Sequence, residues 1–172
     1  AVAVSSHHDA AERQYRFPTE LGVQRPPFSQ WTVTGAAATV LSLVGAGPQV
    51  TVGTIGKVVD MGIKDPNAMG PAMAPAAVDT LWQHIQDTGR EPAYYDMILT
   101  GDLGTVGRDL TIQLMQEKGL DISQNYQDCG CMVYYEKQDT HAGASGCASS
   151  GLVFSGYIYQ MMLGRKLRRV LL

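Results

Sequence analysis

The chain has 172 residues, of which 45% are hydrophobic and 17% are charged, a composition typical of a globular domain with its own core. Its formal net charge of -3 and isoelectric point of about 5.7 exclude a basic field that would attract nucleic acid. No apolar run reaches the length needed to span a bilayer, and no targeting motif is recognisable. The odd count of three cysteines indicates reduced thiols in an intracellular protein.

The two ends of the chain are unusually apolar. It opens on Ala-Val-Ala-Val and closes on residues 169–172, Arg-Val-Leu-Leu, and each segment is typical of a buried strand rather than of a surface terminus. We therefore expect the native protein to continue in both directions.

Between the ends, the apolar pattern alternates between strand and helix periodicity. Helices are favoured where apolar residues recur every three or four positions, as in Val78, Leu81 and Ile85, before a terminating glycine. The predicted order is strand 1–6, strand 32–44, strand 50–59, helix 73–88, strand 94–100, helix 106–118, strand 131–135 and helix 145–163. This alternation predicts a layered α/β fold, with a long polar loop from His7 to Trp31.

A glycine-rich turn, residues 101–107, connects the strand 94–100 to the helix 106–118. Glycines at such a junction can bring backbone amides to a phosphate at a helix N-terminus. The GxxGxxG spacing matches neither the dinucleotide nor the P-loop pattern, so a tight turn is favoured over nucleotide binding. Asp102, at the carboxyl end of the strand, is placed where α/β proteins carry groups that contact ligands.

Cysteine and histidine supply two further candidate sites. Zinc-ligand residue types occur at Cys129, Cys131, His141 and Cys147. Their spacing matches no zinc pattern, and no metal site is predicted. Cys147 begins the last predicted helix and has His141 as its nearest histidine, which allows a thiol nucleophile with a base. A small buried cysteine in helix packing is the favoured alternative.

Two other polar features are assigned to the solvated surface. His84 falls on the polar side of the helix 73–88. The basic run from Arg165 to Arg169 follows the last helix, where positive charge suits the helix dipole. Neither feature predicts a binding site.

Ten short motifs occur in order along the chain. They are SSH at 5–7 with AERQ at 11–14, FPTE at 17–20, TVTG at 32–35, DP at 65–66 with MG at 69–70, AMAPAA at 72–77, LTGDLG at 99–104, DCG at 128–130 and HAGASGCA at 141–148. In combination these motifs resemble the stage V sporulation protein AD family of spore-forming bacteria, over nearly the whole chain. That family is in turn similar to thiolases and ketoacyl synthases.

The resemblance implies an α/β, thiolase-like layered fold, in which each of two similar halves has a mixed five-stranded sheet between helices. Residues 1–44 would form the end of the first half and residues 45–172 the second half, truncated at its C-terminus. The segment that carries the cysteine nucleophile of the enzymes would precede Ala1. Where ketoacyl synthases carry a histidine and an asparagine, this chain has Thr-Gly-Asp at 100–102 and Gly-Ala-Ser at 143–145. The resemblance therefore implies a protein that does not catalyse acyl transfer.

The same resemblance implies a function in ligand binding. The family is linked to the uptake of dipicolinic acid, with calcium, into the developing spore, together with stage V sporulation membrane proteins of the same operon. The chain would form a homodimer, peripheral to the inner (forespore) membrane and without a cofactor. The residues expected to contact dipicolinic acid are Gly101, Asp102, Ser145, Gly146 and Cys147.

Two alternative functions remain open at this stage. One is a thiolase-like or ketoacyl-synthase-like acyltransferase, which would need a complete set of acyl-transfer residues. The other is a structural subunit that docks the proteins of a membrane channel complex. For that function the arginine-rich loop from Ala10 to Arg25 is a candidate contact surface.

Overall fold

The computed structural model describes residues 1–7 and 26–172 of a mixed α/β protein, and the loop from Ala10 to Arg25 lies outside the described residues. The strands are β1 (Val2–His7), β2 (Trp31–Thr32), β3 (Gly35–Val40), β4 (Met97–Thr100), β5 (Tyr126–Asp128), β6 (Ala144–Ser145) and β7 (Val170–Leu171). The helices are α1 (Met69–Thr88), α2 (Gly104–Glu117), α3 (Ser149–Val153) and α4 (Tyr159–Leu163), and a π-helical turn (Phe154–Ile158) joins the last two. None of the helices in these two ranges is both long and apolar enough to cross a bilayer.

The strands form three small sheets in the described part of the chain. β5, β4 and β7 make a parallel sheet in that order, β2 pairs in parallel with β6, and β1 pairs antiparallel with β3. The register sets Thr100 beside Asp128, so that the carboxyl ends of β4 and β5 lie at the same edge.

Strand β4 is buried on both faces. Its successive side chains point in opposite directions and therefore enter two different clusters. Ile98 packs into a cluster with Leu81 of α1 and Met115 of α2. Leu99 packs into a second cluster with Val153 of α3 and Ile158 of the π-helical turn. A strand that is covered by helices on both sides is typical of parallel sheets in layered α/β proteins.

Helices α1 and α2 approach each other through two glycines. A Cβ atom built on Gly107 would lie 2.9 Å from the Gly70 Cα atom, and one built on Gly70 would lie 2.3 Å from the Leu103 carbonyl oxygen. A side chain at either position would meet backbone atoms, so the helices cross at a distance that only glycine permits.

The predicted helices and the strand around residue 98 are confirmed, whereas two predicted strands are wrong. Helix α1 begins at Met69, earlier than predicted, and the last helical region begins at Ser149 rather than at Ser145. Residues 131–135 contain no strand, because the chain turns at Cys129–Cys131 directly after β5. Residues 50–59 contain no strand, because they pack along a helix and pair with no neighbouring strand among the described residues.

Residues 50–63, called the strap below, run antiparallel to α1. Thr54 Oγ1 lies 2.7 Å from His84 Nδ1, and Lys57 Nζ lies 3.1 Å from Asp79 Oδ1. Within the described chain, no backbone–backbone hydrogen bond joins residues 42–64 to another segment. Side chains therefore anchor the strap, in place of a strand ladder.

Strands β1 and β3 form a two-stranded ribbon, and one of its faces packs on the last helices. A Cβ atom built on Gly151 of α3 would lie 3.1 Å from Ser5 Cβ and 3.3 Å from Ala37 Cβ. The opposite face exposes Val4 and Val40 to solvent. The strand at the start of the chain is thus confirmed, but its predicted burial is wrong, because the described chain covers only one face of the ribbon.

His84 is buried, and its assignment to the polar face of the helix is wrong. Its Nε2 atom lies 2.6 Å from the Tyr95 hydroxyl, and its Nδ1 atom lies 2.7 Å from Thr54 Oγ1. Burial lowers the pKa of His84, the positive charge of Arg90 lowers that pKa further, and Asp87 opposes both effects. The imidazole is therefore neutral, and it joins the strap to the segment before β4.

The basic run from Arg165 to Arg169 follows α4 and is exposed except at Leu167, as expected of a solvated helix end. The Asp96 carboxylate accepts backbone N–H hydrogen bonds from Arg168 at 2.6 Å and from Arg169 at 2.9 Å. These two bonds lower the pKa of Asp96 and fix the entry into β7.

Candidate functional site

Three loops meet at the carboxyl ends of β4 and β5. They are residues 101–104 after β4, residues 129–131 after β5 and residues 143–148 around β6. A Cβ atom built on Gly130 would lie 2.6 Å from the Ala144 carbonyl oxygen and 3.2 Å from the Asp102 Cα atom. Loops at this edge of a parallel sheet are where α/β proteins bind ligands, so this three-loop junction is the candidate site.

Asp128 is fully buried at the three-loop junction, where it accepts three hydrogen bonds from nitrogen and oxygen donors and a longer one from Cys131 Sγ at 4.0 Å. Its Oδ1 atom accepts the Leu103 N–H at 3.0 Å and the Thr100 hydroxyl at 2.7 Å, and its Oδ2 atom accepts the Gly104 N–H at 2.9 Å. The protein's own carboxylate thus occupies the N-terminus of α2, which is where a bound phosphate would have to lie. The tight-turn interpretation is confirmed by Gly104, whose φ of 70° favours glycine.

Asp102 connects two of the loops through one carboxylate oxygen. Its Oδ2 atom accepts the Gly146 N–H at 2.8 Å, whereas its Oδ1 atom has no hydrogen-bond partner in the part of the chain that the structure describes. Burial raises the pKa of the Asp102 carboxyl, the Gly146 bond opposes that effect, and the charge of Asp128 adds to it. A half-buried carboxylate whose ionisation is disfavoured is a candidate for a functional group.

Gln30 is a site residue that sequence reasoning missed. Its Nε2 group donates one hydrogen bond to the Asp102 carbonyl oxygen at 2.8 Å and another to the Ala144 carbonyl oxygen at 2.7 Å. The side chain is buried, and it fixes the loop after β4 against β6. No local pattern could have found it, because Gln30 and Asp102 are 72 residues apart in sequence.

All five predicted ligand residues lie in the loops of the three-loop junction, but the side chain of Cys147 points away from the other four. Asp102 and Gly146 are hydrogen-bonded, and the neighbouring Ser145 is buried with its Oγ atom 3.7 Å from Met69 Sδ. Gly101 adjoins Asp102, and a Cβ atom built on it would meet nothing within 4 Å. Cys147 is directed away from Asp102, since its Sγ atom donates to the Ser6 carbonyl oxygen at 3.3 Å.

Cys147 and His141 do not form a thiol–imidazole pair. His141 Nδ1 lies 3.0 Å from the Pro26 carbonyl oxygen and 3.3 Å from Ser29 Oγ, whereas the Cys147 thiol contacts β1. The expectation of a buried Cys147 at the start of a helix is wrong, because this cysteine is exposed and α3 begins two positions later. The geometry therefore offers Cys147 no general base from His141.

The other two cysteines are not arranged as reactive thiolates or metal ligands. Burial raises the pKa of Cys129 and that of Cys131 to about 12 in each case, and the charge of Asp128 adds to both shifts. Such thiols stay protonated at neutral pH, and only thiolates act as strong nucleophiles and ligands. Across residues 1–7 and 26–172, no three His, Cys, Asp or Glu side chains converge as a metal site.

The fold and the three-loop junction define a mixed α/β protein in which two carboxylates occupy the ligand-binding edge of a parallel sheet. The family model for stage V sporulation protein AD matches residues 1–172. The chain is also 46% identical, over 169 residues and 98% of its length, to stage V sporulation protein AD of Bacillus subtilis (strain 168), and it spans 50% of that relative. The chain belongs to the stage V sporulation protein AD family, and the resemblance noted in the sequence is confirmed.

Proposed function

We propose that the protein binds dipicolinic acid as its calcium chelate, catalyses no reaction, and supports the uptake of this ligand into the developing spore. It would act as a peripheral protein at the inner spore membrane, with other stage V sporulation membrane proteins of the same operon as partners. Membership of the family supports a role in sporulation. The two carboxylates of the three-loop junction support binding of the ligand as its calcium chelate.

The fold that we propose is the thiolase-like layered arrangement, with residues 1–44 at the end of a first half and residues 45–172 in a second half. Helices on both faces of the β5–β4–β7 sheet support this layering. The chain spans about half the length of its relative. The pocket of a family-length protein would therefore include groups from outside this chain, and the affinity of this chain alone would be weak.

One observation carries the choice of ligand as a calcium chelate. The Leu103, Gly104 and Gly146 amides are bonded to Asp128 and Asp102, while Asp102 Oδ1 has no hydrogen-bond partner among the described residues. A free dipicolinate dianion would approach two carboxylates at this edge, and like charges at short range repel strongly. Its calcium chelate carries little net charge, and calcium accepts further carboxylate oxygens. Asp102 Oδ1 is suited to that contact.

The separation of the thiol from the imidazole supports a role without catalysis. Acyl transfer requires an activated thiolate and donors that stabilise an oxyanion. Here Cys147 bonds to Ser6 and His141 to Pro26, and the Leu103 and Gly104 amides bond to a carboxylate.

The test is titration calorimetry of dipicolinate, with calcium and with a chelator of calcium, on the family-length relative from Bacillus subtilis and on this chain. We expect binding by the relative only when calcium is present. Substituting asparagine at the position equivalent to Asp102 should weaken binding about tenfold or more, since it removes a charged calcium ligand.

Asp87→Asn is the matched control, because Asp87 is an exposed acid of α1, outside the three-loop junction, that accepts a hydrogen bond from Gln83. Its equivalent should leave the affinity within about twofold, as expected of a distant surface charge in physiological salt. Equal binding with and without calcium would exclude the chelate. Absence of binding under both conditions would exclude the ligand.

A further inference from the structure

Thr32 carries a buried hydroxyl that makes no hydrogen bond within the described part of the chain. The residue is 2% exposed, and its Oγ1 atom has no partner there. Buried polar groups are almost always hydrogen-bonded, because an unpaired group has lost its bonds to water and gained none in exchange. A group that breaks this rule is expected at functional sites, where a ligand supplies the missing bond.

The register of β2 and β6 places this hydroxyl beside the three-loop junction. Thr32 pairs with Ser145, and residues directly opposite each other in a parallel pair present their side chains on the same face. Ser145 precedes Gly146, whose N–H is bonded to Asp102 Oδ2. The backbone ladder continues before β2, so Gln30, two positions earlier, lies on the same face, and it bonds to the Asp102 carbonyl oxygen. The unpaired hydroxyl therefore belongs to the polar face that adjoins the loop after β4.

Met69, the first residue of α1, lies against this polar face. Its Sδ atom is 3.7 Å from Ser145 Oγ, and a thioether is only a weak acceptor. The methionine side chain is unbranched and flexible, so it can change rotamer without moving the backbone of the helix. A small ligand can therefore gain access to the face by displacing one side chain.

We infer that Thr32 is a specificity-determining residue of the ligand site, an inference that rests on the function proposed above. After the Met69 side chain has turned away, the Thr32 hydroxyl donates a hydrogen bond to a carboxylate oxygen of dipicolinic acid. Asp102 repels that carboxylate and is suited only to the calcium of the chelate. A hydroxyl is a neutral donor, and a bond to an ionised acceptor is stronger than one between neutral groups. The two residues thus contact the two different parts of the chelate.

Thr32→Val should have opposite effects on stability and on binding. Valine resembles threonine in shape but has no hydroxyl, so in the chain without ligand it removes an unpaired polar group. The midpoint of urea denaturation should therefore rise. In the complex the same change removes a hydrogen bond to a charged acceptor, and the dissociation constant should rise about tenfold.

Thr111→Val is the matched control. Thr111 is also fully buried, but its Oγ1 atom donates to the Gly107 carbonyl oxygen at 2.8 Å. Valine there should lower the denaturation midpoint and leave the affinity within about twofold, since the site is separate. Urea denaturation is measured on the 172-residue chain. Calorimetry with dipicolinate and calcium is measured on the family-length relative from Bacillus subtilis, with the substitutions at the equivalent positions.

Thr32→Ser separates the loss of the hydrogen bond from a change in shape. Serine keeps the hydroxyl, so its affinity should stay within about threefold of that of the unsubstituted protein. Three results would overturn the inference and leave the proposed function standing: unchanged binding by the valine variant, equal weakening by valine and serine, or a midpoint that falls as in Thr111→Val. Failure of the unsubstituted relative to bind dipicolinate would reject the proposed function, and the Thr32 contact with it.

Discussion

The three-loop junction and the strap differ in how their side chains are accommodated. At the three-loop junction, the buried Asp128 accepts three hydrogen bonds from nitrogen and oxygen donors, and Gln30 donates two. Along the strap, residues as large as Ile55 remain almost wholly in solvent, and side chains provide the attachment to α1. The difference separates a junction in which buried polar groups are hydrogen-bonded to one another from an outer segment in which large apolar side chains stay in solvent.

The largest expected effect is the loss of Asp128. Asp128→Ala removes the acceptor of two backbone amides and one hydroxyl in a fully buried place. Each unsatisfied buried donor costs on the order of 1 kcal/mol or more, so the free energy of unfolding should fall by about 3 kcal/mol or more. Urea denaturation measures this change.

Asp109→Ala is the control for that measurement. Asp109 is an exposed acid of α2 that pairs with the neighbouring Arg108 at 2.8 Å. An exposed ion pair of this kind contributes less than about 1 kcal/mol. Similar losses from the two alanine variants would mean that the three-loop junction is not the tightly bonded centre of the domain.

The next largest effect concerns the crossing of α1 and α2. In Gly107→Ala, the new methyl group would lie 2.7 Å from Leu103 Cβ and 2.9 Å from Gly70 Cα, so the helices must separate. Overpacking of this kind costs about 1–3 kcal/mol. Gly156→Ala is the matched control, because a Cβ atom there meets nothing within 4 Å. Thermal unfolding should show a clear loss for the first variant and none for the second.

A smaller effect is expected in the pH dependence of stability. Burial lowers the pKa of His84 below 6.5, so the unfolded chain takes up a proton before the folded protein does. Stability is therefore full above about pH 6.5 and falls as the pH drops towards the lowered pKa. His84→Gln should remove this part of the acid sensitivity, because glutamine does not titrate. Denaturation curves from pH 7.5 to pH 5 that fall in parallel for both proteins would contradict the assignment.

The elements that could be predicted from sequence are those in which the spacing of apolar residues matches the faces that are buried. Helix α1 and strand β4 each place apolar residues on the faces that are buried. The strap misled the prediction, because its small and apolar residues suggest the two-residue period of a strand, whereas its contacts repeat every three residues. His84 was misassigned for a related reason: its partner Thr54 comes from the strap and not from its own helix.

The candidate site could be predicted only in part. Asp102 was identified because a residue after a buried strand lies at the ligand-binding edge of the sheet. Its bond to Gly146 and the capping of α2 by Asp128 depend on contacts between distant segments, which no local pattern encodes. The same limit applies to Cys147, whose exposure depends on how its loop meets β1.

The smallest expected effect is that of a valine-to-threonine substitution in the strap, which we compare with the same substitution in the core. Val58→Thr changes a side chain of the strap that is 93% exposed, so the free energy of unfolding should change by less than about 0.5 kcal/mol. Val78→Thr makes the same chemical change in the core beside Leu81, where the added hydroxyl must be buried at a cost of about 1–3 kcal/mol. Denaturation at low concentration measures both. If Val58→Thr is as damaging as Val78→Thr, the strap is part of the folding core, and its exposed side chains contribute to the stability of the chain.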